Sequence, residues 1–324
     1  PVEGAFSPDG KYLYFTNYAM YWKGFKKEGH DTCSPASGYD TSFLSRVNLE
    51  SKKLDAVYPV GSVPKVVKVT PDNKYILVSN WCSYTVTVIS IESGKTVKSI
   101  KIGRYPRGIA ITQDSQYAYV AEMGGSNIHR INLNDFTKTL IPVGSNPRAI
   151  VLSPDESKLY VTMNLSGKVQ AWDLLTNKTI KSVKTGQAAR SLDISSDGSA
   201  LFVVNFNSDT VSKVRASDMK VLQTIKVCNE PIGVTYDSST NQTWVACYGG
   251  SLKVFENEWC RINRNQCGRQ FLVGQIYLWY IRFAEVKEEN WEVEEIDVFI
   301  STFKVPSLFT CKPITPRISP GVKV

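Results

Sequence analysis

The chain has 324 residues, with 38 Lys and Arg against 30 Asp and Glu and a formal net charge of +8. Its composition of 42% hydrophobic and 11% aromatic residues argues against long disorder. The basic residues form no long run, and no RNP or zinc-finger pattern occurs, so we predict no nucleic-acid partner. No run of 18 apolar residues is present, so we also predict no transmembrane segment.

A repeat of 41–42 residues organises the chain as far as about residue 256. Each copy contains an alternating apolar run, a Pro-Asp or Asp-Gly turn, a β-branched and aromatic run, and two further alternating runs. Alternation is typical of strands, and tandem units of four strands are typical of propeller blades. We therefore predict an all-β fold, a β-propeller with six recognisable four-stranded blades that start near Pro1, Pro64, Pro106, Pro147, Ala189 and Pro231.

The first copy carries an insertion, because 63 residues separate its start from the next one. About 21 extra residues follow Asn17, between the second and third strands. In a propeller, the start of strand one and the end of strand two lie on the same face, here called the upper face. Long loops on a rigid scaffold often bind ligands, so the insertion's Trp22 and Phe25 are candidate contacts. The alternative is a loop that folds on its own aromatic residues.

Three segments of the second strand resemble a known repeat. They are YILVSN at 75–80, LYVTMN at 159–164 and LFVVN at 201–205, and several copies begin with a VG-x-x-P pattern. These segments resemble the YVTN-type propeller repeat proteins, over about residues 1–256. The resemblance implies seven blades, a bacterial or archaeal source and export to the periplasm, cell surface or medium. Because only six starts are present, the last blade is either degenerate or missing.

Residues 257–324 do not carry the repeat. They contain Trp259, Trp279 and Trp291 and an acidic stretch, but no Pro-Asp-Gly turn. A strand-like run near Val293 and Ile296 would fit a degenerate last blade. The alternative, which we favour, is an unrelated end, so we place the domain boundary at residue 256.

Cations recur at one repeat position. The residue after the blade's first residue is basic in four successive copies, as Lys65, Arg107, Arg148 and Arg190. We expect these side chains to circle the upper mouth of the central channel. They either hold adjacent blades together through ion pairs or form an electropositive site for an anion, to which Trp81 and Glu122 also contribute.

Four of the seven Cys are candidates for disulfides. Cys33 lies in the insertion and Cys82 in the equivalent short loop of the next blade, so both belong on the upper face. Cys228 and Cys247 lie at upper-face positions of one blade. Export would permit both bridges, whereas free thiols are expected in the cytosol.

Enzyme motifs are absent from the sequence. There is no GxSxG elbow, no GxGxxG, no P-loop and no CxxC, and His30 and His129 are the only histidines. We therefore predict no catalytic residues, no metal and no cofactor. The alternative is a lactonase-like hydrolase, in which Glu122 would join Arg107 and Arg148 over the channel.

The leading prediction is an extracytoplasmic binding or interaction protein that acts as a monomer. Its upper face and channel mouth would take an anionic or carbohydrate ligand, from a small molecule, a glycan or a protein. The location outside the cytoplasm is implied by the resemblance and not by the repeat period.

Overall fold

The computed structural model describes residues 2–17, 33 and 42–256, together with the backbone of 272–277. The strands of this part of the chain form six antiparallel sheets, each of four strands. Its only helical element is a 3-10 turn at Phe206–Ser208. The six predicted four-stranded blades are therefore confirmed.

Within each blade the strands follow chain order from the channel outward. The first three blades contain β1 Gly4–Phe6, β2 Tyr12–Asn17, β3 Ser42–Asn48, β4 Lys53–Val60, β5 Pro64–Val69, β6 Tyr75–Asn80, β7 Thr85–Ser90, β8 Thr96–Lys101, β9 Pro106–Ile111, β10 Tyr117–Glu122, β11 Asn127–Asn132 and β12 Lys138–Pro142. The last three contain β13 Pro147–Leu152, β14 Lys158–Met163, β15 Lys168–Asp173, β16 Lys178–Lys184, β17 Ala189–Ile194, β18 Ala200–Asn205, β19 Thr210–Arg215, β20 Lys220–Lys226, β21 Pro231–Asp237, β22 Gln242–Cys247, β23 Ser251–Glu256 and β24 Leu272–Tyr277.

The core lies between blades, and the alternation of the second strand creates it. On β6, Ile76 and Val78 pack against the first blade, while Leu77 packs against the third. The same division recurs on β10, where Val120 faces the second blade and Tyr119 the fourth. Successive side chains of a strand point to opposite faces, so each second strand is apolar on both sides.

The turn after each first strand is held by side chains. In five blades a Ser or Thr hydroxyl donates to an Asp carboxylate two residues later, at Ser7, Thr70, Thr112, Ser153 and Ser195. The hydroxyls of Ser153 and Ser157 and the backbone of Ser157 lower the pKa of Asp155 to about 2. The Pro-Asp and Asp-Gly turns of the sequence are thus local hydrogen-bonded structures.

Five of the six described blades have a β-bulge where the third strand pairs with the fourth. Each bulge adds one residue to the outer strand, at Asp55, Val97, Ile180, Leu222 and Val273. The third blade has none, since Arg130 pairs with Thr139 and Ile131 with Lys138 in unbroken register.

The sixth blade takes its outer strand from the segment after residue 256. Its fourth strand, β24, pairs with β23 although it belongs to the segment that lacks the repeat. The other residues of 257–324, including any seventh blade, lie outside the described residues. Innermost strands pack on one another from β1 through β21, but the described residues show no comparable packing between β21 and β1.

We expect Leu159→Ala to destabilise the propeller by about 2–5 kcal/mol, because Leu159 is fully buried between the third and fourth blades. Leu175→Ala in the same blade is the matched control, since Leu175 is 90% exposed and should change the free energy of unfolding by less than about 0.5 kcal/mol. Urea titrations of both variants measure the difference. Equal losses would contradict a core located between the blades.

Candidate binding site at the channel mouth

The four predicted cations all occupy the second residue of an innermost strand. They are Lys65 on β5, Arg107 on β9, Arg148 on β13 and Arg190 on β17. The three arginines line a central channel with a volume of about 920 Å³. Lys65 and Arg148 are buried, at 5% and 7% exposure.

The cations are close enough to affect one another electrostatically. The pKa of Lys65 is lowered to about 6, first by burial and then by the charges of Arg107, Arg148 and Arg190. Burial and like charges both disfavour the ammonium form. Burial and the neighbouring guanidinium charges therefore act together to favour the neutral form of Lys65 near neutral pH.

Large apolar side chains follow the ends of the second strands and contact these cations. The Lys65 Nζ lies 5.4 Å and the Arg107 Cζ 5.8 Å from the centre of the Trp81 ring. Tyr105 stacks on Trp81 with 4.6 Å between ring centres. Such cation–π contacts hold a cation near the mouth without neutralising its charge.

The later blades show the same arrangement. Arg190 lies over Phe206, with its Cζ 3.4 Å from the ring centre, and the Arg148 guanidinium meets the Met123 sulfur at 3.8 Å. At equivalent positions, Leu165 is 79% exposed and Tyr248 is 60% exposed. The upper face thus has an inner set of cations and an outer set of apolar side chains.

Glu122 does not line the channel. Its carboxylate meets the His129 Nε2 at 3.1 Å, and it packs under Gly103, where any Cβ would collide with it. Asn80 and Asn205 are placed in the same way, and each donates to a hydroxyl seven residues later. Glu122 therefore takes over a structural role that asparagine has in other blades.

His129 is the partner that makes this exchange possible. It is 3% exposed, and its pKa is lowered by desolvation against the opposing effect of the Glu122 carboxylate. It stands where Thr87 and Ser212 stand in the second and fifth blades. The Glu–His pair is thus a local replacement of an Asn–hydroxyl pair.

Two channel carboxylates were missed from the sequence. Glu3 lines the channel, and its carboxylate lies 3.8 Å from the Lys68 Nζ. Desolvation raises the pKa of Glu3, while Lys68, Arg107 and Arg148 lower it; its side chain keeps 38% exposure to the channel interior. The available signal was an acidic residue directly before the apolar innermost strand β1.

Asp193 is the second of these carboxylates. It accepts hydrogen bonds from the Tyr236 N–H at 2.8 Å and the Thr235 hydroxyl at 3.1 Å, which ties the fifth blade to the sixth. Desolvation raises its pKa, and these hydrogen bonds and the charge of Lys68 oppose that shift. Its bonds to the next blade give Asp193 a role in blade cohesion.

The candidate cysteines are paired in the structure. Cys33 and Cys82 form a disulfide with Cα atoms 4.9 Å apart, and Cys228 and Cys247 form another with Cα atoms 6.1 Å apart. The first attaches the insertion beside Trp81. Trp22 and Phe25 of the insertion lie outside the described residues.

Neither a metal-binding cluster nor a membrane-spanning helix occurs in the part of the chain that the structure describes. Within residues 2–17, 33 and 42–256, no three His, Cys, Asp or Glu side chains form a group suited to a metal ion. Over the described chain, no helix has the length and apolarity needed to cross a bilayer.

Comparison with known proteins supports a β-propeller. Residues 25–118 match the family model of a YNCE-like beta-propeller. Antigen Lp49 of Leptospira interrogans is 29% identical over 152 residues, which cover 44% of this chain and 33% of that protein. The chain therefore matches a third of the length of this relative. The finer assignment to the YVTN repeat type stays a prediction.

Two solved structures are similar in fold. Hydrazine synthase of Kuenenia stuttgartiensis has a TM-score of 0.65 at 21% identity, covering 79% of this chain and 76% of that one. A proposed 6-phosphogluconolactonase of Bacteroides uniformis also has a TM-score of 0.65, at 16% identity, covering 83% of this chain and 84% of that one. At such identities the likeness concerns the fold alone.

We expect Lys65→Met to be more stable than the parent protein near pH 7, with an advantage that shrinks as the pH rises towards 10. The unfolded lysine titrates near 10.5 and the folded one near 6, so between these values the unfolded chain binds the extra proton. As the pH rises through this window, the free energy of unfolding of the parent protein therefore increases by up to about 1.4 kcal/mol per pH unit because of Lys65. Urea titrations at several pH values measure the slopes, with the exposed Lys220→Met as control. Parallel slopes for parent and Lys65→Met would contradict the assignment.

Proposed function

We propose that this protein is an extracytoplasmic binding protein that takes an anionic ligand at the upper mouth of its channel. One observation carries the proposal: Arg107, Arg148 and Arg190 come from three consecutive blades and line a single channel. Burial, and after it the charges of these three arginines, lowers the pKa of Lys65 to about 6. An anion in the mouth would relieve this repulsion and allow Lys65 to take up a proton.

The chemistry of the mouth suits an oxyanion. Guanidinium groups donate in a planar fork that matches carboxylate, phosphate or sulfate. Field lines from charges in a cleft with low-dielectric walls are focused towards its opening, which raises the local concentration of anions. Three arginines around a channel are thus better suited to an anionic group than to a neutral sugar.

The outer part of the same face suits an apolar or ring-shaped portion of the ligand. Leu165 and Tyr248 are largely exposed at equivalent positions after their second strands. Aromatic side chains with an exposed face are common contacts for sugar and peptide ligands. An acidic sugar or an anion attached to a ring would meet both the cations and this apolar surface.

The proposed location outside the cytoplasm has two supports. The structure holds two disulfides, and disulfides persist in oxidising compartments. The relative from Leptospira interrogans is described as an antigen. Both observations fit a protein that functions in an oxidising compartment.

The alternative function, a lactonase-like hydrolase, has one observation in its favour. Glu3 in the channel has a raised pKa and feels the charges of Arg107 and Arg148. A carboxyl near cations is an arrangement that could serve acid–base chemistry. The predicted participant, Glu122, is instead engaged with His129.

We expect digalacturonate and inorganic phosphate to bind in low salt, with an affinity that falls as salt screens the charges. The affinity for digalacturonate, whose carboxylates stay ionised across this range, should also fall as the pH rises above 6, because binding then requires proton uptake by Lys65. The double variant Arg107→Gln, Arg148→Gln should bind at least about tenfold more weakly, while the exposed Lys220→Gln should bind normally. Calorimetry at pH 6 and pH 8 measures these changes, with neutral galactobiose as ligand control.

Loss of stability in the double variant without loss of binding would assign the arginines to blade cohesion and overturn the proposal. Absence of binding by both anions in low salt would overturn it as well. Consumption of a lactone that is abolished in Glu3→Gln would favour the hydrolase instead.

For the location, we expect mass spectrometry of the protein isolated without reductant from extracytoplasmic fractions to recover the linked peptides Cys33–Cys82 and Cys228–Cys247. Both pairs are within bonding range in the structure, and an oxidising compartment should preserve them. Blocking free thiols before lysis prevents bridges from forming during purification. Recovery of the four cysteines as blocked thiols would contradict the proposed location.

A further inference from the structure

A second groove lies between the third and fourth blades, on the side of the propeller away from the channel mouth. It has a volume of about 670 Å³ and is lined by turns of the lower face and by the outer strand β12. Its apolar edge includes Leu140 and Leu175, which are 57% and 90% exposed. Its basic lining residue is Arg130 on β11.

Arg130 is held in place but has no carboxylate partner among the described residues. Its guanidinium lies over the Tyr117 ring, with the Cζ 3.7 Å from the ring centre. It is close enough to the Tyr119 hydroxyl to oppose the rise in that group's pKa caused by desolvation. Its buried Nε has no hydrogen-bond partner. An arginine fixed in this way is preorganised to donate to an incoming acceptor.

The first blade shows the same site with an acceptor in place. Arg46 pairs with Tyr14 as Arg130 pairs with Tyr119, so the two arginines occupy one repeat position. The Arg46 guanidinium lies over Tyr12 at 4.3 Å. It donates from Nε and NH2 to the two oxygens of Asp55, at 2.9 and 3.1 Å. This position of the fold therefore accommodates a bidentate arginine–carboxylate pair.

The third blade lacks Asp55's counterpart because it lacks a residue. Asp55 is the bulge residue of the outer strand in the first blade, and the other described blades except the third also have one. The third repeat is 41 residues long, whereas the repeats that start at 64, 147 and 189 have 42. The turn before β12 is preserved, since Thr137 accepts from Asn132 as Lys95 accepts from Ser90. The missing residue is thus the bulge itself.

We propose that this groove binds an acidic residue of an extended peptide segment, whose carboxylate takes the place at Arg130 that Asp55 takes at Arg46. The carboxylate of Asp55 reaches Arg46 from an outer strand, which is how an extended peptide would present it. β12 is the outermost strand of its sheet, and among the described residues no strand pairs with its outer edge, where a further chain would add. Apolar neighbours of the acidic residue would rest on Leu140 and Leu175.

The groove selects a single acidic residue and disfavours an acidic run. Asp114 and Glu156 line the groove as well, and both carboxylates are already used, by Thr112 and by the backbone N–H groups of Gln116 and Gln113. Their negative charges would repel a second carboxylate next to the first. The preferred segment therefore has an acidic residue between apolar ones.

The test uses the whole chain and two capped peptides, VLDLV and VLNLV. We expect VLDLV to bind about tenfold or more tightly than VLNLV, since a hydrogen-bonded charge pair is lost in the amide. Arg130→Gln should abolish this preference. Arg46→Gln, at the equivalent position already filled by Asp55, should lower stability but keep the preference. Calorimetry and urea titration measure the two properties separately.

A second variant keeps the test decisive if Arg130→Gln fails to fold, because it fills the site by adding the missing carboxylate. Inserting one aspartate between Lys138 and Thr139 restores the bulge of the first blade, because Arg46 pairs with Ala56 and Val47 with Leu54 around Asp55. This variant should be at least as stable as the parent and should no longer bind VLDLV. Equal binding of both peptides, no binding of either, or undiminished binding to the insertion variant would each overturn the proposal. Loss of the preference in Arg130→Gln, with the preference kept in the double variant Arg107→Gln, Arg148→Gln, separates this groove from anion binding at the channel mouth.

Discussion

The structure depends on face-to-face packing between adjacent blades. A single blade is apolar on both faces, as Ile76 and Leu77 on opposite sides of β6 show, and it cannot bury either face alone. Each blade therefore requires two neighbours, and the stability of one sheet is shared with the next. This constraint sets the same position of each repeat at the same place around the channel. It explains why one repeated cation becomes a cluster of cations.

Clustering at the mouth has an electrostatic cost that the fold tolerates. Lys65 is 5% exposed and lies near three arginines, and its pKa is lowered to about 6. Lys65 is therefore largely uncharged near neutral pH, which limits the total positive charge at the mouth. Contacts with Trp81, Met123 and Phe206 help to hold the cations in place at the mouth. The proposed anionic ligand would stabilise this region, because its charge would offset the repulsion among the clustered cations.

The sequence predicts the parts of this structure that the repeat encodes. Blade number and the upper-face position of the four cations follow from the 41–42 residue period. The neighbouring positions of Cys33 and Cys82 follow from the place at which the insertion interrupts that period. Side-chain direction does not follow, so Glu122 was expected beside the arginines although it turns to His129. Glu3 was overlooked because its importance comes from the cations of other blades. β24 was overlooked because its segment lacks the repeat.

The departures from the repeat carry the chemistry that distinguishes one blade from another. The Glu122–His129 pair replaces an asparagine–hydroxyl pair and leaves the backbone arrangement intact, so this difference between blades is compensated locally. The third blade also lacks one residue, and no other described side chain in that blade supplies the missing contact. Arg130 and Tyr117 remain as in the first blade, but the carboxylate supplied there by Asp55 is missing. The binding site proposed in the third blade would thus arise from one missing residue, because Arg130 and Tyr117 keep the arrangement that Arg46 and Tyr12 have in the first blade.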